Sequence, residues 1–123
     1  MFLQLERTKL DVFKISRQFV ISCYRKTKLF PGEEKFALTQ QIRRAALSVH
    51  LNLAEGCSRK TLNKRKRFYE ISRGSIVEVD TAFEIAVELG YTDRSKIEET
   101  GNLLVRTFQM LSKMIRQSNV EEK

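Results

Sequence analysis

Residues 68–90, FYEISRGSIVEVDTAFEIAVELG, decide the fold. Phe68, Ser72, Ser75, Val79, Ala82, Ala86 and Leu89 recur at alternating steps of four and three before Gly90. That period stacks them on one face of an α-helix. Held over three heptads, with small residues at Ser72 and Ser75, it predicts the seam of a helical bundle.

The flanking sequence supplies three more helices, so that four are expected at about 8–28, 33–55, 61–89 and 95–117. In the first, Thr8 and Asp11 resemble a capping box. Val12, Ser16, Phe19 and Cys23 form its stripe, widened by Phe13, Val20 and Tyr24. Phe30-Pro31-Gly32 ends it, because Pro31 removes a donor and drives its predecessor out of helical geometry. The second helix is expected to start near Glu33, where two acids suit the positive end of a helix dipole. Leu38, Ile42, Ala45, Val49 and Leu53 are its core stripe, and Gly56 reads as a left-handed cap. The fourth opens on a capping box of Ser95 and Glu98. Ile97, Gly101, Leu104, Phe108, Leu111 and Ile115 follow, with Ser118 to Lys123 expected to fray. Short connections make successive helices antiparallel. The expected fold is therefore all-α, an antiparallel up-and-down four-helix bundle, with residues 1–123 as a single domain.

Composition narrows the function classes. With 41% apolar and 31% charged residues the chain is of the folded globular class, not the disordered one. No apolar run approaches the roughly 18 residues of a membrane span. No secretory signal is visible, which makes the cytoplasm the expected address, and no membrane partner is expected. Cys23 and Cys57 stand 34 residues apart, outside any CxxC pattern, and read as reduced packing residues. No metal or cofactor is expected.

Charge is uneven. Residues 1–75 hold 17 Lys+Arg against 6 Asp+Glu, whereas residues 76–123 hold 6 against 9. The densest stretch is Arg59, Lys60, Lys64, Arg65, Lys66 and Arg67, six cations in nine residues without an acid. It falls at the junction of the second and third helices. Cations in the first turns of a helix oppose its dipole by a few tenths of a kcal/mol each, roughly. Such violations tend to be kept for function. Exposed amides at a helix start already attract phosphate, and these side chains deepen the well. Nucleic acid is the first partner to consider, with Arg43 and Arg44 in support if they are exposed. An acidic protein and plain solubility are the competing readings. Tyr69 is the sole candidate for base stacking, since Phe68 belongs to the core heptad.

The second helix has too little solvated face. At about 100° per residue, Gln41, Arg44, Ser48, Asn52 and Glu55 form one polar stripe. Core residues flank it on one side and Leu47, Leu51 and Ala54 on the other. A helix with two apolar flanks is usually covered twice, which predicts self-association. Scattered surface leucines are the bland alternative. Catalysis finds little support. His50 is the only histidine and lies about 200° from Ser48. No Glu-x-x-His pair or Gly-rich phosphate loop occurs. Asn52, Glu55 and Glu78 could form a polar site, but pinning helices is the simpler role for them. No catalytic residue is assigned.

Gln41-Ile42-Arg43-Arg44-Ala45-Ala46, Ser48, Asn52-Leu53-Ala54-Glu55-Gly56, Arg59, Phe68, and Gly74-Ser75 with Glu78 follow a recognisable order. Phe30-Pro31 and Leu89-Gly90-Tyr91 extend it, over about Lys9 to Gln117. The chain resembles the four-helix-bundle proteins called 23S rRNA intervening sequence proteins, also labelled ribosomal-protein homologues. It is similar too to the accessory variability protein of diversity-generating retroelements, a basic pentamer that associates with a reverse transcriptase and nucleic acid. The resemblance implies a ring-like homopentamer and RNA or DNA binding without catalysis. The number five comes from the resemblance alone. Ser48, Asn52, Glu55, Gly74, Ser75 and Glu78 match the motif and read as structural. The expectation is a non-enzymatic, oligomeric protein that binds nucleic acid, RNA favoured. The alternative is a scaffold that docks an acidic protein such as a reverse transcriptase-like enzyme.

Overall fold

A computed structural model describes residues 1–3, 5 and 10–121, with side chains to residue 119. Four helices carry it: α1 Asp11–Thr27, α2 Leu38–Ser58, α3 Leu62–Glu88 and α4 Glu98–Glu121. No strand occurs among the described residues. α1 packs on α2 and α4, α3 packs on α2 and α4, and among the described residues the diagonal pairs do not come into backbone contact. Cross-helix bonds fix antiparallel neighbours. Thr27 of α1 meets Arg43 of α2 while Ser16 meets His50, and Ser72 and Ser75 of α3 meet Val49 and Ser48. The result is the expected up-and-down bundle.

The expected stripes line the core. Phe19, Ile42, Val49, Leu53, Val79 and Leu111 are fully buried, and Ile76 nearly so. The α3 heptad departs at its end, where Leu89 is exposed. A straight helix drifts about 20° per heptad from a strict seven-residue repeat, so Ser75, Ala82 and Leu89 rotate progressively outward. At the other end the buried aromatic is Tyr69, and Phe68 is half-buried.

Several helix ends differ from expectation. α2 starts at Leu38, not Glu33, because the extended Pro31 feeds a separate 3-10 turn over Gly32–Glu34. The acids still serve α2, since Glu34 Oε2 accepts from the Leu38 amide at 3.1 Å. α2 also runs past Gly56 to Ser58, so Gly56 is no cap. A Cβ there would lie 2.7 Å from Tyr69 Cε1, so Gly56 makes room for the α3 side chains packed against it. Gly90, at φ +78°, takes the left-handed conformation after α3. α4 is entered through Asp93, whose carboxylate accepts from the Lys96 amide at 3.0 Å and from the Ser95 hydroxyl at 2.5 Å. Ser95 is thus a donor to Asp93 and not the expected cap. α4 continues to Glu121, and the Ser118 hydroxyl is buried against the Met114 carbonyl at 2.9 Å. The proposed Thr8 cap and residues 122–123 lie outside the described residues.

Candidate nucleic-acid interface

The basic corner is a built turn. Thr61, in extended conformation, caps α3 by accepting from the Lys64 amide at 3.3 Å. Arg59 Nη2 pairs with Glu55, and the guanidinium stacks 5.0 Å from the Phe68 ring centroid. Arg65 Nε donates to the Arg59 carbonyl at 2.6 Å and clamps the connection. Two of the six cations are therefore committed to holding the turn. Lys60, Lys64 and Arg67 are exposed, Lys66 is half-buried, and none of the four is ion-paired among the described residues. The fold leaves them free to meet an anion.

Arg43 does not join them. Its Nε donates to Thr27 Oγ1 at 2.8 Å and its guanidinium covers the Tyr24 ring at 5.0 Å, which pins α2 to α1. Arg44 is exposed, but fifteen residues before Arg59 it stands about 20 Å up the helix axis. Neither is brought to the corner.

Antiparallel packing sorts charge along the bundle axis. Each helix divided at its midpoint, residues 11–121 hold 11 Lys+Arg against 4 Asp+Glu in the half containing the corner. The opposite half holds 9 against 9. The cationic half gathers the N-terminal parts of α1 and α3 with the C-terminal parts of α2 and α4, an assembly no single sequence window displays. In the other half, a groove of about 930 Å³ between α3 and α4 is lined by Asp80, Glu84, Glu88 and Glu98 together with Arg94. The net positive charge is thus concentrated at the corner end, and the opposite half is balanced overall.

The polar stripe of α2 is a zipper to α3. Asn52 Nδ2 donates to Ser48 Oγ at 2.9 Å, Ser48 Oγ lies 2.9 Å from Ser75 Oγ, and Ser75 Oγ donates to the Ile71 carbonyl at 3.2 Å. Gln41 Nε2 reaches Glu78 at 3.4 Å. Glu55 and Glu78 do not converge. Glu55 pairs with Arg59 near Phe68, ten residues and about 15 Å along α3 from Glu78. Beside the zipper, Leu47, Leu51 and Ile71 are 38%, 57% and 44% exposed, and Ala54 is half-buried. Gly74 stands among them in mid-helix, and a Cβ there would meet nothing within 4 Å.

One pairing escaped the sequence reading. Ser16 Oγ lies 2.6 Å from His50 Nδ1, and the Phe13 ring packs on the imidazole at 4.4 Å. Burial first, and then the Arg17 charge, push the His50 pKa below its usual value. Ser16 sits on the α1 stripe that patterning marks as core, but its partner is 34 residues away, where periodicity has no reach. Among the described residues no helix is long and apolar enough to cross a membrane, and no three His, Cys, Asp or Glu side chains group to hold a metal.

Comparison with known proteins agrees with this architecture. The family described as 23S rRNA-intervening sequence protein matches residues 8–113. A crystal structure from Bacteroides thetaiotaomicron VPI-5482, of a protein with unknown function from the S23 ribosomal protein family, superposes with a TM-score of 0.78 at 21% identity. The match covers 85% of this chain and 97% of that one. No curated protein matches.

Proposed function

The chain belongs to the 23S rRNA-intervening sequence protein family, and we propose on that footing that it is a non-catalytic, cytoplasmic, self-associating protein that binds nucleic acid, RNA by preference, through its basic corner. The observation that carries this reading is the corner itself: among the described residues, Lys60, Lys64, Lys66 and Arg67 have no ion-pair partner at the capped start of α3. Phosphate neutralises such cations and releases counterions, so binding is electrostatic and weakly selective for sequence. Arg59 and Arg65 serve it by holding the turn in place.

Self-association is supported by Leu47, Leu51 and Ile71 around Gly74. A glycine inside an exposed helix costs about 1 kcal/mol relative to alanine. Among the described residues nothing would lie within 4 Å of a Cβ at Gly74, whereas the backbone of a second copy could approach it. A ring of five, as the resemblance implies, would repeat the corner around a rim and multiply weak contacts by avidity.

The test measures binding of a labelled RNA across a salt series, with the assembly mass determined in parallel. Wild-type affinity should fall steeply with salt, and K60E/K64E/R67E should bind at least tenfold more weakly with its helix content unchanged. Undiminished binding by that variant removes the corner from the account. The same basic surface also suits an acidic protein partner. Recovery of a protein partner that survives nuclease digestion and is lost in the triple variant would favour that second reading.

A further inference from the structure

The cations of α4 have no place in the reading so far, yet the fold brings two of them to the corner. Arg73 of α3 leans onto α4, with Nη1 donating to Ser112 Oγ at 3.2 Å and its guanidinium 5.8 Å from the Phe108 ring centroid. That contact defines the α4 flank facing α3. Arg116 is four residues beyond Ser112, on the same flank one turn nearer the corner, and Lys113 lies beside it. Both are exposed, and neither is ion-paired among the described residues. On α3, Lys66 falls about 20° from Arg73 around the helix axis, so it too is on the α4 side. Lys64, Arg67, Lys66, Arg116 and Lys113 thus run in order across the outer face of the α3–α4 pair. Packed helix axes are about 8–10 Å apart, so the row bridges two elements without a gap wider than a long side chain can cover.

We propose that the phosphate backbone of the bound RNA follows this row, leaving the corner over α3 onto the C-terminal half of α4, with Lys113 and Arg116 as phosphate contacts. The inference rests on the nucleic-acid reading of the corner and gives it a direction. Lys14 and Arg17 of α1 supply the needed comparison. They belong to the same cationic half and are exposed, but α1 packs on α2 and α4, and among the described residues its backbone does not come up to α3. They are off the track, with equal charge.

The experiment compares wild type, K113Q/R116Q and K14Q/R17Q by titrating a labelled single-stranded RNA of mixed sequence over a salt series, with circular dichroism to confirm the helices. Each lost phosphate contact lowers the log–log salt slope by about 0.7 for a single strand. K113Q/R116Q should therefore flatten the slope by about 1.4 and weaken binding severalfold, whereas K14Q/R17Q should stay near wild type. An unchanged slope in K113Q/R116Q, or an equal loss in K14Q/R17Q, overturns the track and leaves the corner intact. Failure of wild type to bind, or full binding by K60E/K64E/R67E, overturns the corner and the track together.

Discussion

At Gly56 the chain has no room for one more carbon. A Cβ would sit 2.7 and 2.9 Å from two atoms of the buried Tyr69 ring and 3.1 Å from Phe68 Cβ. Alanine gains about 1 kcal/mol of helix propensity, while overpacking costs about 1–3 kcal/mol. Gly56→Ala should therefore lose about 1 kcal/mol in urea unfolding. Gly101, inside α4 with nothing within 4 Å of a Cβ, should give the opposite sign. Stabilisation by Gly56→Ala would mean that the α2–α3 crossing relaxes freely. His50 permits a second residue-scale test. Its pKa is lowered in the fold by burial and by Arg17, so on acidification the unfolded chain takes the proton first. The associated stability is complete above about pH 6.5, the unfolded value, and is lost as pH falls below it. The melting temperature should drop between pH 7 and 5 more in wild type than in His50→Gln, and equal drops would acquit this histidine.

At the scale of the element, the fold was legible because each helix carries its own period, and short connections leave one topology. The misjudged boundaries have physical causes. Pro31 and the 3-10 turn delay α2, and Gly56 looks like a cap in sequence but serves as a contact, which only the neighbouring helix reveals. The site was legible in outline and not in its division of labour. Six cations are plain in the sequence, but Arg59 and Arg65 turn inward to hold the bend and Arg43 binds α1. Those roles depend on partners supplied by tertiary packing. Gly74 gives this scale its prediction. Gly74→Ala should raise the helical stability of the single chain by up to about 1 kcal/mol, yet, if the proposed self-association runs through this face, shift the mass towards smaller species in sedimentation. A more stable chain with unaltered mass would place the subunit contact elsewhere.

For the whole molecule, the arrangement of charge opposes folding. One half of the bundle carries 11 cations against 4 acids. α3 aggravates this, with Lys64, Arg65, Lys66 and Arg67 at its positive pole and Glu84 and Glu88 near its negative one. Each exposed charge at the wrong pole costs a few tenths of a kcal/mol, roughly, so α3 as a whole forfeits about 1–2 kcal/mol. Salt screens such terms within a Debye length of about 8–10 Å. Added sodium chloride should therefore raise the melting temperature of this protein, by about 4 °C for each kcal/mol recovered. A polyanion such as heparin should do so at far lower concentration, because on the proposed reading it binds the clustered cations of the folded corner more tightly than the dispersed ones of the unfolded chain. K60E/K64E/R67E removes the repulsion in advance, so it should melt higher than wild type at low salt and respond little to either additive. A wild-type melting temperature that falls or stays level on adding salt would show the cations already balanced at close range, and the attraction to phosphate would lose its driving force.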